Sequence, residues 1–146
     1  MVQCVNKMRH LFLFILIGLG LVGFFLATYI HVKKKGKKKL VCPRRSNCDT
    51  VIHSDYSRIL GIPVEVLGLI YYLCIAVSYA FVLVFSYWST PLAYVLVGLS
   101  ISSVLFSVYL VSLQAFVVRH WCVWCLSSAL VSVLILVFSY FHVFTY

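Results

Sequence analysis

Residues 121–144 read WCVWCLSSALVSVLILVFSYFHVF, a Cys-x-x-Cys pair at the mouth of a stretch that holds no Asp, Glu, Lys or Arg. About 20 apolar residues is what a helix needs, at about 1.5 Å rise per residue, to cross about 30 Å of hydrocarbon. Three further apolar stretches about as long, at residues 11–30, 62–86 and 92–118, precede it, with Glu65 the one acidic or basic residue among them. They are apolar on every face and far longer than the roughly 9 to 11 residues of a membrane strand, so helices are expected. The whole 146-residue chain is 64% hydrophobic and 10% charged, with a mean hydropathy of +1.08, outside the range of soluble globular proteins. The expected fold is an all-α membrane protein: a four-transmembrane-helix bundle, residues 1–146 as one membrane domain. A long cysteine-bearing connector at about 31–61 follows helix 1 and carries a short surface helix.

Lys7 and Arg9 before the first span, and Ala27 near its end, are features of a secretory signal. The apolar core is longer than a signal's, however, and the basic run 33–39 (KKKGKKK) reads as the flank of a retained span. With four spans both termini lie on one side of the membrane, and connector 31–61 shares the other with the turn 119–122. Cys42, Cys48, Cys122 and Cys125 therefore meet at one face, although sequence separates the pairs widely.

The Cys122-x-x-Cys125 spacing at a helix start lets the two sulfurs close a small loop, and the exposed amides and positive end of the helix favour the Cys122 thiolate. Cys42 and Cys48, with Pro43 between them, have room for a bridge within the connector. A loop dithiol beside a helix-borne one suits thiol exchange through a mixed intermediate. Four cysteines can also make a tetrahedral metal site, which is the competing reading. Only one pair is close-spaced, and the position beside an apolar bundle favours a lipid-soluble partner, so no metal ligand is assigned. Cys74, in the body of span two, is expected to pack as a small apolar residue, and Cys4 to sit in a frayed terminus.

Other residues have both plain and functional readings. Glu65, in the first turn of span two behind Pro63, is expected to serve the exposed amides of that helix end rather than catalysis. Residues 55–60 read as a helical turn or two over the bundle. Tyr87 and Trp88 at the tight turn before Pro91 are interface anchors. Trp121 and Trp124 can do the same on the cysteine face. Trp124, Tyr71, Tyr72 and Phe116 are candidate liners of a pocket as well as bundle-packing aromatics. His120 is an interfacial residue or a proton carrier, and Arg119 a basic stop or a support for the Cys122 thiolate.

The ordered set Cys42-Pro43, Cys48, Ser54, Gly61-Ile62-Pro63 with Gly68, and Trp121-Cys122-Val123-Trp124-Cys125 resembles the vitamin K epoxide reductase family in its short bacterial and archaeal form. The resemblance covers nearly the whole chain and implies a four-helix bundle around a quinone pocket, capped by the connector. It further implies that Cys122 and Cys125 form the inner pair, with Cys125 nearest a quinone of menaquinone or ubiquinone type. Cys122 would exchange with Cys48, and Cys42 would meet a thioredoxin-fold protein. Ser54 matches a family hydroxyl that supports the reactive sulfurs. Catalytic candidates are thus Cys42, Cys48, Cys122, Cys125 and Ser54, and quinone-binding candidates Cys125, Trp124, His120, Tyr71, Tyr72 and Phe116. The implied activity is quinone-dependent thiol oxidation that makes protein disulfides. The chain ends at Tyr146 without a fused thioredoxin-like domain, so the partner is expected to be separate; membrane lipid is the other partner, and no nucleic acid is expected. The asparagine that vertebrate members carry in the second span has no match in residues 62–86, which leaves quinone carbonyl contact to other polar groups. A second quinone-linked family, the bacterial disulfide-bond formation membrane proteins, has its close and wide cysteine pairs in the opposite order.

Charge adds a topological expectation. Ten of the twelve Lys and Arg residues lie on the cysteine face, and only Lys7 and Arg9 on the other. Positive residues in short connectors mark the cytosolic side, so the redox face is expected to be cytosolic. The family resemblance points instead to the extracytoplasmic side, where thiols stay oxidised; the lysine run would then meet acidic lipid heads or a partner.

Overall fold

The computed structural model describes residues 2–36, 48–53, 58–59, 61–85 and 89–144. The elements run α1 (Val2–Lys35), α2 (Cys48–Ile52), β1 (Arg58–Ile59), β2 (Ile62–Pro63), α3 (Val64–Val84), α4 (Ser89–Leu113), a π-helical turn (Gln114–Val118) and α5 (Val123–Phe144). Four helical segments, Asn6–Lys35, Val64–Val84, Pro91–Val118 and Val123–Phe144, are long and apolar enough to cross a membrane. Helices satisfy their own backbone hydrogen bonds, the condition hydrocarbon imposes on any spanning segment. The chain is a multi-pass membrane protein, an all-α four-span bundle with a short helix after helix 1, as its hydropathy leads one to expect.

Helix α1 is the backbone of the bundle and continues past residues 11–30 at both ends. Cys4 therefore lies in regular helix rather than a frayed terminus, and Lys33, Lys34 and Lys35 form its last turn rather than the start of the connector. Cations suit the carbonyl end of a helix, and the Lys33 ammonium sits 5.5 Å from the centre of the Tyr29 ring.

Helix α1 packs on α3 and α5, and α5 on α4, whereas α3 and α4 scarcely touch. Small residues make the α1–α3 seam possible, since backbones without bulky side chains can approach closely in a membrane. A methyl group added at Gly23 would run into the Tyr72 ring, and one added at Gly20 would come within 3.1 Å of the Ala76 methyl. The core around this seam holds Leu13, Leu16, Ile75, Tyr79, Val82, Leu96 and Ile135. Its buried tyrosine hydroxyls are bonded, Tyr79 donating to Ser139 Oγ at 2.8 Å. Phe14, Phe25, Leu105 and Val84 point outward from the bundle. Cys74 does so too, and is not packed inside it.

Before α3 the chain forms a small antiparallel ladder, Arg58 opposite Pro63 and Ile59 opposite Ile62. Arg58 and Ile59 are thus extended rather than helical. Gly61 supplies the reason: its φ of +82° is left-handed backbone that reverses the chain at little cost.

Candidate functional site

The site is built where α4 ends and α5 begins. After Leu113 the helix widens into the π turn, and Arg119, at φ 54°, breaks it in left-handed backbone. π turns cluster at functional positions, and this one carries Gln114, the only amide side chain in the four apolar stretches. Gln114 is buried, and its Oε1 accepts the Cys122 N–H at 3.2 Å. Cys122 has no exposed surface. It sits at the N-cap position of α5, where its carbonyl accepts the Leu126 N–H at 3.0 Å and its Sγ accepts the Cys125 N–H at 3.4 Å. The sulfur thus takes the place that a Ser or Asp oxygen fills in ordinary helix caps.

Cys122 and Cys125 are both free thiols here. The Cys122 thiol is held below its ordinary range, first by a hydrogen bond from the Cys125 thiol, with burial opposing and the backbone N–H groups of Cys125 and Trp124 assisting. A sulfur so placed is the better nucleophile of the two at neutral pH.

Over Cys122 lies the connector. Val51 and Ile52 of α2 are buried against Ile30 and Cys122, with Tyr29, Val118, Trp124 and Cys125 packed around them. The Trp124 ring stands 4.8 Å from that of Tyr29. Helix α2 begins at Cys48, so the chain at the second connector cysteine enters the element that covers Cys122. Cys42 and Ser54 lie outside the described residues, and Cys48 is described by its backbone alone.

Beneath this cap a cavity of about 370 Å³ opens between α1, α3, α4 and α5. Its walls are mostly apolar, from residues such as Val64, Leu67, Leu99, Phe106 and Leu110. Small-molecule sites run from about 300 to 1,000 Å³ and combine such walls with a few placed polar groups. The polar groups here are Glu65, Gln114, Tyr71, Tyr72, Cys125 and serines of α4 and α5. The Tyr72 hydroxyl is 2.8 Å from Ser128 Oγ and 3.1 Å from Ser132 Oγ, and the Tyr71 hydroxyl 3.4 Å from Ser100 Oγ. At Leu67, Leu99 and Ser102 the wall reaches exposed positions, along the gap between α3 and α4.

Of the aromatic and polar residues singled out in the sequence, Tyr71, Tyr72 and Cys125 line this cavity. Trp124 packs behind it in the Cys122 cluster. His120, which is partly buried, and Phe116, which is 78% exposed, are not among its lining residues. Two residues that hydropathy does not single out stand in the site instead. One is Gln114. The other is Glu65, whose helix is capped at Pro63 without a side-chain bond. Glu65 turns away from those amides: its Oε1 accepts from Lys34 Nζ at 2.8 Å.

A model of the vitamin K epoxide reductase family matches residues 14–140. No curated protein matches the chain. The match spans all four membrane helices and both Cys122 and Cys125, and the chain belongs to the vitamin K epoxide reductase family, whose general chemistry is quinone-linked disulfide oxidoreduction.

Proposed function

We propose that this member of the family oxidises the dithiol of a separate thioredoxin-fold protein and passes the two electrons to a quinone, by way of Cys42–Cys48 and then Cys122–Cys125. One observation carries the reading: Cys125 lines an apolar cavity while Cys122 is buried under the helix that starts at Cys48. A partner thiolate attacks Cys42 of the Cys42–Cys48 disulfide, and a second partner thiol resolves the mixed disulfide. The freed Cys48 then attacks Cys122 of the Cys122–Cys125 disulfide, and Cys42 displaces Cys122 to restore the connector bridge. The depressed Cys122 thiol suits the sulfur that must both be attacked and leave. Cys122 and Cys125 finally close their bridge as the dithiol's two electrons and two protons pass to the quinone.

A quinone of menaquinone or ubiquinone type fits the donor set: the apolar walls suit the ring, and the hydroxyls of Tyr71 and Tyr72 and the carboxyl of Glu65 are the polar groups at hand. The volume holds a ring rather than a long isoprenoid tail, and the gap between α3 and α4 gives that tail a way to the lipid. Ser54 supports the reactive sulfurs, and Trp124 holds Cys125 from behind. His120 and Phe116, which stand outside the cavity lining, take no part in holding the ring.

The excess of basic residues on the cysteine face favours a cytosolic position for that face. An impermeant thiol reagent applied to intact cells tests this: Cys4 should label before lysis and Cys42 only after it, and the reverse order overturns the orientation. The activity is tested with purified protein supplied with a reduced thioredoxin-fold protein and a short-tailed quinone. Quinol should form continuously, and not at all in Cys125→Ala. Turnover that survives in Cys125→Ala would overturn the relay.

A further inference from the structure

The Lys34–Glu65 pair stands apart from the sulfur relay. Its side chains are only 13% and 8% exposed, and burying a carboxylate and an ammonium beside hydrocarbon is unfavourable until pairing offsets it. Pairing leaves part of the carboxylate unused: Oε1 bonds Lys34, but Oε2 is buried with no hydrogen-bond partner among the described residues. Glu65 lines the same cavity as Cys125. A fully satisfied structural ion pair would not hold a bare carboxylate oxygen in the wall of a ligand cavity.

Resting on the quinone reading above, we infer that Glu65 is the proton-transfer group of the cavity, exchanging a proton at Oε2 with a carbonyl oxygen of the bound quinone, and that Lys34 positions it. Converting the Cys122–Cys125 dithiol to its disulfide releases two electrons and two protons. The Glu65 carboxylate takes up one thiol proton at Oε2 and passes it to one quinone oxygen. The other thiol proton goes to the second oxygen, so that dithiol and quinone become disulfide and quinol with nothing left over. Lys34 holds Oε1 and thereby turns Oε2 toward the ligand space. Facing the cavity with Glu65 are Cys125 from α5 and Tyr71 and Tyr72 from its own helix, with Lys34 of α1 behind it. The described side chains that α2, α4 and the π turn add to the wall carry no titratable group. Among these, the Glu65 carboxylate offers the unbonded oxygen able to take and give a proton, since both tyrosine hydroxyls are engaged by serines and Cys125 is itself oxidised in the step.

The test uses the full chain, pre-reduced at Cys122 and Cys125, mixed with a short-tailed quinone in a single turnover. Glu65→Gln keeps shape and hydrogen bonding but carries no exchangeable acid proton; quinol formation should slow by about 10²-fold or more, the usual contribution of a positioned acid. Quinone binding, read from tryptophan quenching, should stay within about threefold, a change of under 1 kcal/mol. A readout independent of rate is the reduced-minus-oxidised infrared difference spectrum of the quinone-loaded protein. Wild type should show a shift of a carboxylate band that Glu65→Gln lacks. Since Glu65→Gln leaves a buried lysine without this partner, the double variant Lys34→Met/Glu65→Gln removes both charges and decides the matter if the single variant does not fold. Wild-type rates in a folded variant, or an infrared shift that persists without Glu65, would overturn the inference while leaving the sulfur relay standing. A wild-type protein that reduces no quinone would remove both.

Discussion

Replacing Gln114 with Leu removes the acceptor of the Cys122 backbone N–H while keeping the side-chain volume near that of the amide. The N–H then lies in a buried site with nothing to bond, because Cys122 has no exposed surface and its 3.2 Å bond to Gln114 Oε1 spans the turn between α4 and α5. Leaving a buried donor unsatisfied costs about 1–3 kcal/mol. If the segment Arg119 to Cys122 opens locally, that cost raises the open population about five- to 150-fold, at 1.4 kcal/mol per factor of ten. A buried thiol reacts with a bulky alkylating reagent only through such openings, so Cys122 should be modified faster by the same factor. The assay is the modification rate of Cys122 in a variant whose other cysteines are replaced, followed by mass, alongside thermal unfolding in detergent. Gln114→Glu keeps an acceptor at that position and should hold the segment closed. An unchanged modification rate in Gln114→Leu would show that the π turn does not fasten the cysteine motif.

Two further outcomes follow from the same coordinates. The pH at which Cys122 becomes half-reactive should lie below that of an ordinary thiol and should rise in Cys125→Ala, because the hydrogen bond from Cys125 is the chief cause of the depression; at a fixed pH below both midpoints the variant's Cys122 should alkylate more slowly. Gly23→Ala should destabilise the protein by about 1–3 kcal/mol, since its methyl meets the Tyr72 ring. Gly18→Ala has nothing within 4 Å and should be neutral or mildly stabilising, as helix propensity favours alanine by about 1 kcal/mol. Unfolding midpoints of the two variants in one detergent separate them.

The spans and their mutual arrangement are legible in sequence because hydrocarbon imposes a single rule, about twenty apolar residues per crossing, and parity then gathers Cys48 with Cys122 and Cys125 on one face. What hydropathy cannot register is how a polar side chain is used. Glu65 in the first turn of a helix reads as a companion to exposed amides, yet its partner is Lys34, reached across the α1–α3 seam. That choice depends on α1 remaining helical through Lys35, which a basic run does not announce. Gln114 is similar: an amide near the end of an apolar run marks a boundary in hydropathy, whereas its π turn and its bond to Cys122 depend on where Arg119 breaks the helix. Arg58 and Ile59 are drawn into a ladder by the left-handed backbone of Gly61, a tertiary pairing that outweighs local helix preference. Tyr71 and Tyr72 are legible as pocket candidates by their place in span two. Phe116 and His120 are not separable from them by sequence, because hydropathy does not tell the cavity-facing side of a helix from its lipid-facing side.

The most direct measurement is a thiol count during a single reaction of reduced protein with quinone, in the absence of any partner, using a form whose only cysteines are Cys122 and Cys125. Two thiols should vanish for each quinol formed, with an intramolecular Cys122–Cys125 bridge found afterwards by mass. Quinol formed while both thiols persist, or thiols lost without quinol, would contradict electron transfer from this pair into the cavity.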